Sequence, residues 1–590
     1  MAKSDARFGY KANLSRESHD LSRVFGFTAA PGMLLPVFAD FASAGDTYYI
    51  EHDLSFLRTA PLAAPAMIDV KVHYESFFVP FQMIYQPIEQ TLYSLRDFQS
   101  SMFSVTNINL LNNGLPVFDY SAYITDVIAT PNNYNYRPNA FRFADMMDLD
   151  AANFCGTALD FMKYKPNFFP WQALAYHAIF QYYYRLDDKS SFDNSRFNWD
   201  RFYDNTAPVT FYGNSGLFEI YQRPWRFDYF TSMYRSPIVS NASMQNILPS
   251  GGYSDLISAG AALGLTRPIS SNGTSASNNV SSSSFSNIIP ASYSSAAVEG
   301  NISTAMIRQM FANEKLSMIT GRTRKTYDSQ VLAHLGINVP HDPKHDLAFI
   351  GGDTFDLHIG EVTSLASTSD AALGDLAGKG FASGKGKKLK FTAPCHGIVM
   401  TIFSIEPRKR YYGSFARQNA ISDVFDFPTP EFDRLGNQPM FRFEAGQSAA
   451  SFPMSDIIGW KERYYSFKRR FDKVSLAFMG GIRGNANVYN SYMIASAPFG
   501  VVDVTNPSYR VAAPEDENRF YIDRHACDGL MLVPFADGWI VPDPDAPADA
   551  ENWNNTPWLA YSRDPFIVDS YEKVTKVSWM SKDGEPVYNF

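Results

Sequence analysis

Residues 70–87 read VKVHYESFFVPFQMIYQP, and this stretch decides the fold class. Val70, Val72, Tyr74 and Phe78 recur at a period of two, the spacing of side chains on one face of a β-strand. Pro80 and Pro87 then remove ladder donors and end the pairing. No side chain in the run is a convincing nucleophile or acid–base pair, so its patterning serves shape. The neighbouring YYIEHDLSFLR, which starts at Tyr48, has the same character. Strand patterning returns at 397–405 (GIVMTIFSI), 471–479 (FDKVSLAFM) and 571–580 (YEKVTKVSWM). The two ends of the chain therefore read as β and the middle as insertion.

Helical spacing is confined to that middle. In WQALAYHAIFQYYYRL, Trp171, Leu174, Ala175, Ala178, Ile179 and Tyr182 form an apolar stripe over 171–186. In STAMIRQMFANEKLSMI, Ser303 is placed to cap a helix near 304–320, with Ile307, Met310, Phe311 and Met318 inward. Between them, residues 239–300 are Ser, Asn, Gly and Ala with almost no charge, too polar for a core and too long for an ordinary connection. They are expected to be a surface loop. Residues 1–45, with Pro31, Gly32 and Pro36, read as an extended arm lying on a neighbouring subunit. The expected organisation is an arm at 1–45, first strands at 46–100, insertions at 101–390, and remaining strands with a C-terminal segment at 391–590. No repeat of 20 to 50 residues is present, which argues against a solenoid or propeller.

The chain has 590 residues, long enough for several domains or for one with large insertions. Hydrophobic residues make up 45%, aromatic 15% and charged 19%, the last below the roughly 25% of ordinary soluble domains. Aromatic abundance with sparse charge points to extensive subunit contacts. A net charge of −9 argues against wrapping nucleic acid by bulk charge and leaves local basic patches open. Cys155, Cys395 and Cys527 are widely spaced and form no CxxC, which fits buried thiols and a reducing compartment. The N-terminal segment has no apolar signal region, and no run of about 18 apolar residues occurs, so neither export nor membrane spanning is expected.

Candidate chemistry is thin. GKGFASGKGKK has the flavour of a phosphate-cradling loop, but only three residues separate Gly380 from Gly384, and Gly386 stands where Ser or Thr should follow Lys385. It reads as a mobile basic loop within a flexible stretch at 364–388. HLGINVPHDPKHD gathers His334, His341, Asp342, His345 and Asp346, yet Pro343 keeps the later histidines off one helical face, and no metal site is expected. Two segments interleave cations with aromatics, EPRKRYYG (406–413) and KERYYSFKRRF (461–471). Arg408, Lys409, Arg410, Arg463, Lys468, Arg469 and Arg470 could meet phosphates while the rings stack on unpaired bases. Equally, these could be two strand ends with solvated charges and buried rings. No catalytic residue or cofactor is expected. A β-sandwich carbohydrate-binding or glycoside-processing protein is the alternative class, although no carboxylate pair stands out for it.

An ordered set of segments carries a resemblance. NLSRESHDLSRVFGF, MLLPVFADFASAGDTYYI, FFVPFQMIYQ, FPWQALAYHAIFQYYYRLDD, DYFTS (228–232), LGDLAGKG (373–380) and GWKERYYSFKRRFDKVSLAF span nearly the whole chain. In this order they resemble the major capsid proteins of the Microviridae, small single-stranded DNA bacteriophages, and most closely the gokushovirus-like branch. The resemblance implies an all-β core made of a single eight-stranded jelly-roll β-barrel with long, partly helical insertion loops. It also implies pentamers within a T=1 icosahedral shell around circular single-stranded DNA. The partners implied are a small basic DNA-binding protein, a scaffolding protein during assembly, and a host cell-surface receptor. The implied location is the virion, assembled in the bacterial cytoplasm.

Overall fold

The computed structural model describes residues 15–60, 62, 69–84, 143, 146–148, 170–186, 220–234, 304–323, 327–340, 342–363, 376–411, 414–421, 427–431, 433, 436–445, 457–475, 495–496, 520–522, 533–535, 538–540 and 564–582. The expected surface loop at 239–300 lies outside them, as do Cys155 and Cys527.

Two sheets face each other, one with burial alternating along its longest strands and the other buried almost continuously along its central strands. In chain order the strands are β1 (Glu17–Asp20), β2 (Arg23–Ala29), β3 (Leu35–Ala42), β4 (Thr47–Thr59), β5 (Val70–Pro80), β6 (Ala348–Asp356), β7 (His358–Thr363), β8 (Leu376–Lys385), β9 (Leu389–Thr392) and β10 (Gly397–Pro407). They continue with β11 (Arg410–Tyr411), β12 (Asn437–Phe441), β13 (Ile457–Glu462), β14 (Ala495–Ser496), β15 (Val533–Phe535), β16 (Gly538–Ile540) and β17 (Phe566–Ser578). A seven-stranded sheet runs β1-β17-β4-β8-β7, with β2 also on β17 and β9 also on β4; a four-stranded sheet runs β3-β10-β5-β6. Every pairing in these two sheets is antiparallel.

The opening stretch lies at the centre of the smaller sheet. β5 pairs with β10 from Val70↔Pro407 to Pro80↔Gly397 without a slip. The inward rows of β5 and β10 meet the larger sheet: the Tyr74 hydroxyl donates to Ser570 Oγ at 2.9 Å, and Phe403 of β10 packs edge-on against Phe27 of β2 at 5.0 Å. A bulge in β4 resets the alternation so that both Leu54 and Leu57 point inward while Phe56 and Arg58 point out. The fold is thus antiparallel β with few helices, arranged in two sheets; no closed barrel is formed among the described residues.

The outer face of the smaller sheet is covered by helix α1 (Trp171–Ile179) and a π-helical turn, Phe180–Tyr184. The expected stripe is present at Leu174, Ala175, Ala178 and Ile179, all fully buried. Tyr182 departs from it and is exposed. The wider π turn rotates the face, so Tyr183 and Tyr184 reach Phe77 instead, at 4.8 and 6.0 Å. Helix α2 (Thr304–Arg322) follows the second helical expectation, with Met318 half-buried, Leu316 exposed, and the side chains of Ile307, Met310 and Phe311 outside the described residues; α3 (Tyr327–Leu335), which that expectation did not include, buries none of its residues.

Two stretches, one expected as an extended arm and one as a mobile loop, form strands. Residues 17–42 of the expected arm form β1, β2 and β3, which pair with β17 and β10 of the same chain. Pro31 and Gly32 occupy the corner where the chain crosses from one sheet to the other, and Gly32 takes φ +73° there. GKGFASGKGKK, expected as a mobile loop, is β8 and the link to β9. Gly380 and Gly384 face inward where the packing is too tight for a side chain: a Cβ on Gly380 would meet Thr59 at 2.4 Å, and one on Gly384 would meet Phe355 at 2.4 Å. Small inward residues alternate with outward Lys379, Phe381 and Lys385, a strand pattern that the glycine content disguises.

Candidate nucleic-acid interface

The two cation–aromatic segments adjoin. β10 ends at Pro407, and Arg408 turns its guanidinium onto Asp472, with Nε donating at 2.8 Å and Nη2 at 2.7 Å. The Tyr411 backbone N–H donates to Asp472 O, and Val474 N–H donates to Tyr411 O, both at 2.9 Å. The second segment leaves β13, passes through Tyr464 in a left-handed conformation (φ 58°), and forms one helical turn, Tyr465–Lys468.

Three described rings of these segments face inward. Tyr411, Tyr464 and Tyr465 are buried; Tyr411 and Tyr465 join a second core with Tyr229, Phe230, Met233 and Met440. Their hydroxyls are occupied, Tyr411 bonding to Asp228 and Tyr465 to Glu444. Burial, followed by the charge of the adjacent carboxylate, pushes both phenols well above their ordinary range, so both remain neutral hydrogen-bond donors. Only Phe467 offers an exposed ring among the described aromatics of the two segments. Base stacking on Tyr411, Tyr464 or Tyr465 is excluded by this packing.

The cations lie at the rim of that core. Lys468 bonds Asp433 at 2.5 Å and Arg463 O at 2.9 Å, Arg469 lies 3.3 Å from Glu462, and Arg470 reaches Gln418 at 3.5 Å. Lys409 sits over Trp225 and Tyr411 at 5.2 and 5.6 Å, and Arg463 over Tyr464 at 5.3 Å. Arg410 opens β11, which pairs in parallel with β14. Two carboxylates anchor this core: Asp228, which opens the DYFTS segment, and Glu444, which nothing local in the sequence marks. Asp228 accepts the Phe230 and Thr231 N–H groups at 2.8 Å, and buried Glu444 accepts from Arg417 at 3.1 Å and Phe441 N–H at 3.0 Å.

One arrangement mimics catalytic machinery. His52 Nε2 lies 2.9 Å from Ser76 Oγ while its Nδ1 lies 2.8 Å from Glu572, the order of a nucleophile, base and orienting acid. All three are fully buried between the sheets, and Ser76 is also bonded to Thr401 at 2.9 Å. A nucleophile needs substrate access, so the line instead satisfies polar groups inside an otherwise apolar interface. His345 and Asp342 pair at 2.8 Å in an exposed loop, and His334 is bonded to Thr320.

A family model described as capsid protein (F protein) matches residues 10–496. The chain belongs to this family. These are the major capsid proteins of the Microviridae, and the chain is accordingly a major capsid protein of a small single-stranded DNA phage. The carbohydrate-processing alternative finds no support. No curated protein matches the chain. The match ends before β17, yet that strand lies between β1, β2 and β4, so the β core extends past the matched region.

Proposed function

We propose that copies of this chain associate as pentamers into a T=1 icosahedral shell that encloses single-stranded DNA and presents a host-attachment surface. Membership of the capsid family carries this reading. Exposed apolar side chains on and after α3 support it. Tyr327, Leu332, Leu335 and Ile337 are each more than half exposed, which is costly on an isolated chain and useful where subunits meet. The two sheets correspond in this reading to the two faces of a jelly roll whose connections include the helical insertions.

Residues 239–300 are assigned outward, to host attachment. Arg408, Lys409, Arg410, Arg463, Lys468, Arg469 and Arg470 are assigned to the packaged strand as phosphate ligands without base stacking. A net charge of −9 leaves most of the genome's charge unneutralised, so a small basic DNA-binding protein shares the task, and a scaffolding protein acts during assembly. The protein is structural rather than catalytic. It resides in the virion and assembles in the host cytoplasm. Electron microscopy of the purified chain, alone and with its co-expressed phage partners, tests the reading. Uniform pentamers or shells are expected; a discrete monomer under both conditions overturns it.

A further inference from the structure

The seven-stranded sheet turns one face to the core and leaves the other uncovered by any described element. Register identifies what stands on the outer face. One row runs Thr28, Ile567, Arg58, Phe381 and His358 across β2, β17, β4, β8 and β7. A second brings Lys385 opposite Asp53 and Tyr571 opposite the same residue. A third places Tyr49 between Thr575 and Lys390. Lys379 and Lys573 occupy the same face, and Lys387 and Lys388 extend it through the link from β8 to β9; all these lysines are exposed.

The cations outnumber the carboxylates Asp20, Glu51, Asp53 and Asp569 of this face, on a chain whose net charge is −9. Glu51 is shared by Lys385 at 3.0 Å and Lys573 at 3.5 Å. Among the described residues, Arg58, Lys379, Lys387, Lys388 and Lys390 have no carboxylate within ion-pair distance. Lys388 and Lys390 instead hold their ammonium groups 4.8 and 5.7 Å from the Tyr49 ring. Phe56 and Phe381 stand together at 5.2 Å, both partly exposed to solvent.

We infer that this sheet face binds single-stranded nucleic acid, with the lysines and Arg58 on phosphates and Tyr49, Phe56, Phe381 and Tyr571 available to unpaired bases. The inference rests on the reading that the shell encloses a single-stranded genome, and assigns it a surface apart from the β10–β13 segments. A subunit interface would account for the face less well, because interface centres are depleted in lysine, whereas single-strand platforms combine lysine and arginine with exposed rings. A pleated sheet bearing aromatics is also the geometry by which other sheets stack bases.

The test is fluorescence anisotropy of the full-length protein with a fluorescein-labelled oligothymidine of about 30 nucleotides, titrated with salt. Replacing Lys379, Lys388 and Lys390 together by Gln should weaken binding at least about tenfold at low salt. It should also flatten the slope of log K against log salt by roughly 2, at about 0.7 for each phosphate left without its cation. Phe381→Ala should weaken binding at least about fivefold with the salt slope unchanged, the signature of weakened stacking. The Lys→Arg triple should keep wild-type affinity, and thermal melting confirms that each variant is folded. Wild-type affinity and slope in the Gln triple overturn the inference, as does a wild type that fails to bind. Weakened binding seen only in Arg469→Gln/Arg470→Gln also overturns it, and absence of particles with oligonucleotide binding intact reassigns the face to subunit association. Particle formation by the wild-type chain, scored separately by microscopy, decides the capsid reading independently.

Discussion

At the scale of single residues, two glycines of one sheet should respond oppositely to the same change. Gly384 is where β8 comes close to Phe355 of β6, so an added methyl must displace a ring packed between the sheets. Gly384→Ala should cost about 1–3 kcal/mol, read as a lowered Tm. Gly360→Ala should be neutral or stabilising by up to about 1 kcal/mol, since its Cβ would meet nothing closer than 4.0 Å. Glu406 makes a pH prediction. Burial raises its pKa, but the His73 hydrogen bond at 2.9 Å and the Arg223 charge outweigh that, leaving it below the ordinary 4.5. A depressed folded-state pKa contributes stability above about pH 4.5 and loses it as pH falls through the folded value. The Tm advantage of wild type over Glu406→Gln should therefore shrink on acidification below that point; an advantage that grows would contradict it. None of this is legible in the sequence. Glu406 sits in a motif that stands out for its cations, and its partners His73 and Arg223 come from far earlier parts of the chain.

At the scale of elements, legibility follows periodicity. β5 and α1 are readable because their apolar positions repeat within a few residues, and β17 because YEKVTKVSWM is rich in β-branched and aromatic residues, although its inward row includes Glu572 and Lys576. β8 is not, because its inward positions are Gly and Ala and its outward ones mostly Lys and Ser, so composition imitates a loop while close inter-sheet packing requires the small inward residues. The N-terminal segment misleads for a related reason. Its Pro31–Gly32 corner punctuates two short strands and looks like an extended arm, while their partners, β10 and β17, lie more than 350 residues away. This placement changes what truncation should do. Removing residues 1–45 strips β17 of β1 and β2, strips β10 of β3, and takes Leu35 and Val37 out of the core. The truncated chain should melt lower and aggregate. A truncated chain with wild-type Tm that only fails to assemble would return the segment to the role of an arm.

At the scale of the whole molecule, the sequence's aromatic richness divides between two tasks that composition alone cannot separate. Most described rings fill the cores, as Tyr74, Phe77, Phe403 and Tyr465 do, whereas Tyr327, Leu332, Leu335 and Ile337, on and just after α3, remain outside. Leu335 and Ile337 flank Gly336, which takes φ +70° and ends the helix, so both project from a sharp helix terminus that packs on no core cluster. Their exposure of 68% and 57% means that charge there should leave the isolated fold intact, since little apolar area is taken from the interior. If that terminus joins subunits, Leu335→Asp/Ile337→Asp should keep the wild-type Tm, stay soluble, and fail to form particles by microscopy and sedimentation. The signs of these effects separate the alternatives. Normal particles would remove the helix end from the interface, whereas a large fall in Tm would show that the two residues support the subunit itself.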